Sequence, residues 1–290
     1  MIAHWDEVEP RLLETGPIRL TRIDLGDAIG SDRIGVGLLE VQPGARSSPV
    51  HCELAEEEIF YVLRGSGLLW QDERTHEIAP DDCIVHVAEE QFHTLVAGPD
   101  GLDVLAFGQR VWATATYLPR AGVARMAVTI DVSTGPHPWE REAAAGHLQL
   151  PEPTPRPPNV VGLAGAKSAQ DGSVRLLGKS CGSVRTGLNH VTLAPGTRGA
   201  PPHCHSAEEE IFVVLEGTGT LRLDDEEHPV RAGHAISRRP GSAVCHSFVA
   251  GDGGMTYLAY GTREPNDIAY YPETSEVRLR GVGVGMKLGP

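Results

Sequence analysis

The chain repeats itself. Slid along itself by 152 positions, PGARSSPVHCELAEEEIFYVLRGSGLL (43–69) falls on PGTRGAPPHCHSAEEEIFVVLEGTGTL (195–221), with 17 identities in 27 positions. A one-residue slip moves the register to 153. There HTLVAG (93–98) meets HSFVAG (246–251), and LAFGQR (105–110) meets LAYGTR (258–263). A period this long exceeds any solenoid unit, so residues about 33–125 and 185–278 are two whole domains of one design.

The segment between the copies holds five prolines in residues 151–158, which reads as an extended linker, and WEREAAAG (139–146) reads as a short helix before it. The boundary is set near 150, giving domains 1–150 and 151–290. Within each copy the pattern is β. IFVVLEGTGTLRL (211–223) is apolar and β-branched, with a turn expected at Gly217 and Gly219. Strands recur about every ten residues, as in a sandwich or barrel. The opening MIAHWDEVEP carries no basic, apolar leader, and no uninterrupted apolar run is long enough to span a membrane. A net charge of −14 disfavours nucleic acid and anionic membrane surfaces as partners. Five cysteines without a leader suggest reduced thiols and a cytoplasmic location.

In the second copy His203 and His205 lie two apart. On a strand this puts both imidazoles on one face, about 7 Å apart along the chain. Glu210 follows a short connection, and His246 arrives from a third strand. Three imidazoles and a carboxylate suit a divalent first-row metal (Fe, Mn, Ni, Co or Zn) with coordination positions left open. The first copy offers His51, Glu53, Glu58 and His93, so a glutamate stands where the second histidine would be. With a dication that set is neutral, whereas the 3-His/1-Glu set keeps a positive charge. The second site is therefore expected to be the working one.

HCHSAEEEIFVVLEG resembles the first cupin motif, G-x5-H-x-H-x3,4-E-x6-G. The six residues between Glu210 and Gly217 select Glu210 over Glu208 and Glu209. The Gly233, Pro240, Gly241 and His246 set is similar to the second motif, with His246 late and Ala250 in place of the terminal Asn. Gly196 also precedes His203 by six residues instead of five. The duplicated chain thus resembles a bicupin. The resemblance implies two all-β jelly-roll (double-stranded β-helix) barrels, a metal in each barrel mouth, and a homodimer. The ligand set is more similar to that of bicupin oxalate decarboxylases than to gentisate-type dioxygenases, whose sites lack the Glu. Glu53 departs from the decarboxylase pattern in the first copy.

Other polar residues are expected to be bystanders. Glu56, Glu57, Glu208 and Glu209 read as a solvated acidic turn. His190 and Arg198 are the candidates to support the second site, His190 because only that copy carries it. The glycine-rich tail RLRGVGVGMKLGP is expected to dock as a strand on the other domain or on a second subunit. Because one fold hosts many chemistries, function must be argued from the site. The first expectation is an enzyme acting on a small oxygen-chelating organic substrate, with dioxygenase ranked ahead of decarboxylase and isomerase. The alternative is a non-catalytic, metal-assisted binding or sensor protein.

Overall fold

The computed structural model describes residues 1–126 and 135–289. Each half is built on one eight-stranded sheet. In the first half the order is 160–162, 82–86, 58–71, 93–109, 34–41, 18–23, 11–15, with 74–78 paired to 58–71. In the second it is 2–4, 234–238, 210–223, 246–262, 186–193, 174–175, 168–169, with 226–231 paired to 210–223. A smaller sheet faces each: 123–126, 115–118, 52–53 in the first, and 204–205, 268–271, 276–279, 284–287 in the second. Together they make two jelly rolls.

The turn expected at Gly217 and Gly219 is instead a bend in one unbroken strand, Glu210–Leu223. Its pairing with His246–Thr262 shifts register between Val214 and Glu216 and again between Gly217 and Gly219. Gly217 has φ +75°, and a Cβ there would sit 2.1 Å from the Gly254 carbonyl oxygen. Only glycine fits so close an approach with that backbone. Gly65 repeats this in the first half, 2.1 Å from the Gly101 carbonyl oxygen. The bend lets a long ribbon fold over on itself, so its two ends face each other across a barrel.

Alternation along Glu58–Gln71 explains where the cores lie. Phe60 and Val62 point into the first barrel with Leu69, Ile84 and Val104. Ile59 and Tyr61 point the other way and join Ile211, Val213 and Tyr260 of the second half in one shared core. Phe107 and Tyr260, equivalent in the two copies, meet at 4.9 Å across this seam. Each such side chain, fully buried, contributes about 1.5–3 kcal/mol.

The halves also exchange strands. Ile2–His4 pairs with the second half's His234–Arg238, and Val160–Gly162 pairs with the first half's Asp82–His86. The expected helix forms at Pro138–Ala144. Its Glu142 is fully buried and pairs with Arg46 at 2.7 Å and Arg120 at 2.8 Å. The acidic turns are not solvated. Glu57 and Glu209 are both 0% exposed. Glu57 accepts hydrogen bonds from the Val184 and Thr186 amides (2.7 and 2.9 Å) and from the Ser183 and Thr186 hydroxyls. Glu209 accepts from the Asp32 and Arg33 amides at 2.9 and 2.6 Å. Each half thus caps a loop of the other with a buried carboxylate, where unpaired amides would otherwise be costly. The tail pairs within its own half, as Glu276–Leu279 on Ile268–Tyr271 and then Val284–Lys287. Among the described residues it pairs with no strand of the first half.

Candidate metal centres

Both barrels assemble a His/Glu group in the same way. His203 and His246 form a narrow antiparallel bridge, with N–H to O=C distances of 3.2 and 2.9 Å in the two directions. His51 and His93 repeat it at 3.1 and 2.9 Å. The imidazole centroids are 4.4 Å apart in both pairs. The folded-over ribbon then brings the glutamate in from its far end. Glu58 Oε2 lies 3.2 Å from His93 Nε2 and 3.5 Å from His51 Nε2. Glu210 Oε2 lies 3.1 Å from His246 Nε2 and 3.5 Å from His205 Nε2.

A metal ion fits both groups. The ligand atoms of His51, Glu58 and His93 lie within 4.8 Å of one another, as do those of His203, Glu210 and His246. Glu58 Oε2, His93 Nε2, Glu210 Oε2 and His246 Nε2 are buried and satisfied by no hydrogen bond. Such orphaned acceptors, repeated at equivalent positions, are what a bound cation would satisfy. At the second centre protonation is compatible, whereas at the first Glu58 and Glu53 outweigh burial and raise His51 to about 9, so a metal there displaces a proton. Burial, with the charge of His246, lowers His203 to about 4, so it is a neutral donor at pH 7. Burial works against the Glu210 carboxylate, but His246, His205 and His203 hold it at about 2.

The centres differ in their fourth residue. His205 Nδ1 lies 2.6 Å from Asp267 Oδ2, and Asp267 Oδ1 accepts from the Ala207 and Glu208 amides. This fixes the ring so that Nε2 faces Glu210. In the first barrel Glu53 replaces His205, and Thr114 stands at the place of Asp267. Both fourth residues lie outside the compact triads, His205 grouping instead with Glu208 and Asp267, and Glu53 accepts from Thr116 Oγ1 at 2.8 and 3.0 Å. Burial, with the neighbouring Glu58 charge, pushes its carboxyl up to about 7. An aspartate at 114 would add a third buried negative charge there, so the two replacements belong together. Asp267→Asn should therefore weaken metal binding at the second site by about 10–100-fold and leave the first unchanged. Metal titration of variants in which the other site is disabled measures this, and equal affinities would refute the coupling.

The supporting residues expected from sequence stand elsewhere. His190 pairs across strands with Arg175 and Leu258 and faces the groove between the halves beside Asp81. Arg198 forms a two-pronged surface pair with Glu273 at 2.6 and 2.9 Å. A strand face fixes where each points, and neither face is the ligand face. His86 was not anticipated. It is buried, stacks on His93 at 3.6 Å, and replaces Arg238 of the second copy.

The larger contrast is space. A cavity of about 740 Å³ opens over His51, Glu58 and His93, and the pocket that reaches His205, Glu210 and His246 measures about 10 Å³. Side-chain volume contributes to this. In the second barrel Phe248 and Tyr257 stack at 4.8 Å, and Phe212 lies 5.0 Å from Phe248. Leu95 and Val104 occupy the equivalent positions of the first barrel. Tyr271 also stacks on His203 at 5.2 Å, with the Arg278 guanidinium 4.6 Å from its ring. Leu118 replaces that tyrosine in the first copy, and Arg125, the counterpart of Arg278, lines the cavity instead.

Two folded-over jelly rolls, each with a His/Glu triad at its mouth, define a duplicated β-barrel metal-binding protein. The cupin domain family matches residues 37–105 and 189–259, and the chain is accordingly a bicupin, a member of the cupin family. No curated protein matches it. Among solved structures it is similar to a point mutant of oxalate decarboxylase from Bacillus subtilis, at 16% identity and TM-score 0.64, covering 92% of this chain and 78% of that one. A second structure of that enzyme, studied for its Mn(II) centres, gives 15% identity, TM-score 0.63 and the same coverages. A cupin described as a sugar phosphate isomerase from Silicibacter pomeroyi is 30% identical, with TM-score 0.37, over 39% of this chain and 74% of its own. The likeness to the decarboxylases shows the fold. Among the described residues, no helix is long and apolar enough to cross a membrane.

Proposed function

We propose that the chain is a metal-dependent enzyme whose first barrel binds and transforms a small carboxylic acid with a ring-sized apolar body. The observation that carries this reading is the 740 Å³ cavity over His51, Glu58 and His93. Its volume lies within the usual range for small-molecule sites. The neutral charge of the first set had favoured the second site, but a pocket of about 10 Å³ admits no organic substrate.

The lining suggests the substrate class. Arg11, Arg22 and Arg125 border the cavity together with one acidic residue outside the metal group, Glu14. Arg11 and Arg22 share Asp24 as their ion-pair partner. Arg125 has no hydrogen bond or ion pair among the described residues and is available to a carboxylate. Phe60, Leu95 and Trp139 supply apolar walls that hold a ring and exclude water. A first-row ion held by His51, Glu58 and His93 would supply Lewis acidity, and iron or manganese would add redox chemistry. Dioxygen-dependent oxidation of a phenolic or 2-oxo acid is the first reading. Decarboxylation is the second, favoured by arginines that would hold a carboxylate beside the metal group.

Oxygen uptake and carbon dioxide release, measured on the iron- and manganese-loaded protein with a panel of hydroxybenzoates and 2-oxo acids, separate the two. Leu95→Phe with Val104→Tyr should abolish turnover while leaving metal content intact. Undiminished turnover in that double variant would reject the first barrel as the active one. Self-association is proposed too, through the edge strand Val284–Lys287, where Val284 and Met286 are exposed. Truncation after Glu276 should halve the mass on size exclusion, and an unchanged mass and melting temperature would reject this assembly.

A further inference from the structure

The second centre is bordered by a feature its ligands do not need. Cys204 lies between His203 and His205, and Cys245 directly precedes His246. The His203–His246 bridge sets the register, since residues that exchange both backbone hydrogen bonds must be followed by a pair that exchanges none. Carried one residue on, that register sets Cys204 opposite Cys245. Facing residues at such a position have Cα atoms about 4.5 Å apart, inside the roughly 4.4–6.8 Å range that a disulfide spans. The two thiols are close enough to interact, and burial together with the Cys204 thiol raises that of Cys245. Both thiols are free, Cys245 is buried, and the partly exposed Cys204 lines the small pocket beside His205 and Glu210. The first barrel has no such pair, because Phe92 faces Cys52 there.

We propose that Cys204 and Cys245 are an oxidative modification site that closes to a cross-strand disulfide and locks the second metal centre. The oxidant is hydrogen peroxide, small enough for so tight a site. The Cys204 sulfur attacks one peroxide oxygen, the O–O bond breaks, and the outer oxygen leaves as water, giving a sulfenic acid. The Cys245 sulfur then attacks Cys204 and expels the sulfenic oxygen as a second water. The protein loses two protons and two electrons, and the peroxide becomes two waters. The bond ties the strand bearing His203 and His205 to the start of the strand bearing His246. Those ligands then cannot separate without breaking it, so metal leaves more slowly.

The test uses the full chain, loaded with zinc and incubated with hydrogen peroxide. Titratable thiols should fall from five to three, and the mass should drop by two hydrogens, with one cross-linked peptide joining Cys204 to Cys245. Chelator-driven release from the second site should be slower in the oxidised protein and return to its original rate with reductant. Cys204→Ser and Cys245→Ser should each abolish the cross-link, whereas Cys52→Ser should not. Retention of all five thiols, a cross-link between Cys83 and Cys181 instead, or an unchanged release rate would overturn the proposal. These measurements read thiols and metal, and hold whether or not the first barrel proves catalytic.

Discussion

Glu57→Ala should cost about 3–5 kcal/mol of stability, the largest loss expected from a single substitution outside the metal centres. The carboxylate is completely buried, and removing it leaves the Val184 and Thr186 amides and the Ser183 hydroxyl facing a void. Glu209→Ala should cost less. Its strong bonds are the Asp32 and Arg33 amides, and the one to Ser237 is long at 3.4 Å. Denaturant unfolding of both variants measures the difference. A change below about 1 kcal/mol for Glu57→Ala would mean that the loop Ser183–Thr186 holds its place without the cap. Because Glu57 and Glu209 directly precede the candidate metal ligands Glu58 and Glu210, the same strand starts carry both the interdomain caps and the candidate metal groups. Loss of the cap should therefore also loosen metal at Glu58.

The second large effect concerns which centre works. His93→Ala should abolish metal binding in the first barrel, a loss beyond the roughly 10–100-fold that follows removal of a supporting partner, and should abolish turnover with it. His246→Ala should empty the second centre, lower the melting temperature, and leave turnover per folded molecule near that of the parent. Metal analysis and oxygen uptake on the two variants decide this. Turnover that survives His93→Ala and disappears in His246→Ala would reverse the assignment of the barrels.

Much of the molecule was legible in the order of its residues. The repeat at 152 positions, short strands punctuated by glycine, and the spacing of His203, His205, Glu210 and His246 are all local properties of the chain. They are enough to read two β-sandwich or barrel domains of one design, because a strand's period of two and a turn's need for glycine act over a few residues, and the resemblance to the cupin motifs implies the jelly roll. One supporting residue was within reach by the same means. Asp267 and Thr114 occupy equivalent places and differ just as His205 and Glu53 do, so the aligned copies already carried that signal.

Tertiary structure alone decided the rest. Glu57 and Glu209 sit in an acidic run that ordinarily faces water, and only docking of the halves places amide donors around them. Position in the repeat points to His190 and Arg198 as supports, but the face a strand turns to its neighbour sends one to the interdomain groove and the other to the surface. The open first barrel is lined by residues as far apart as Arg11, Leu95 and Trp139, and in the second Phe248, the counterpart of Leu95, stacks on Tyr257 across a folded ribbon. Spacing along the chain determines which atoms can become ligands. Whether a substrate can reach them depends on volume left over after side chains distant in sequence have packed, and no local pattern records that.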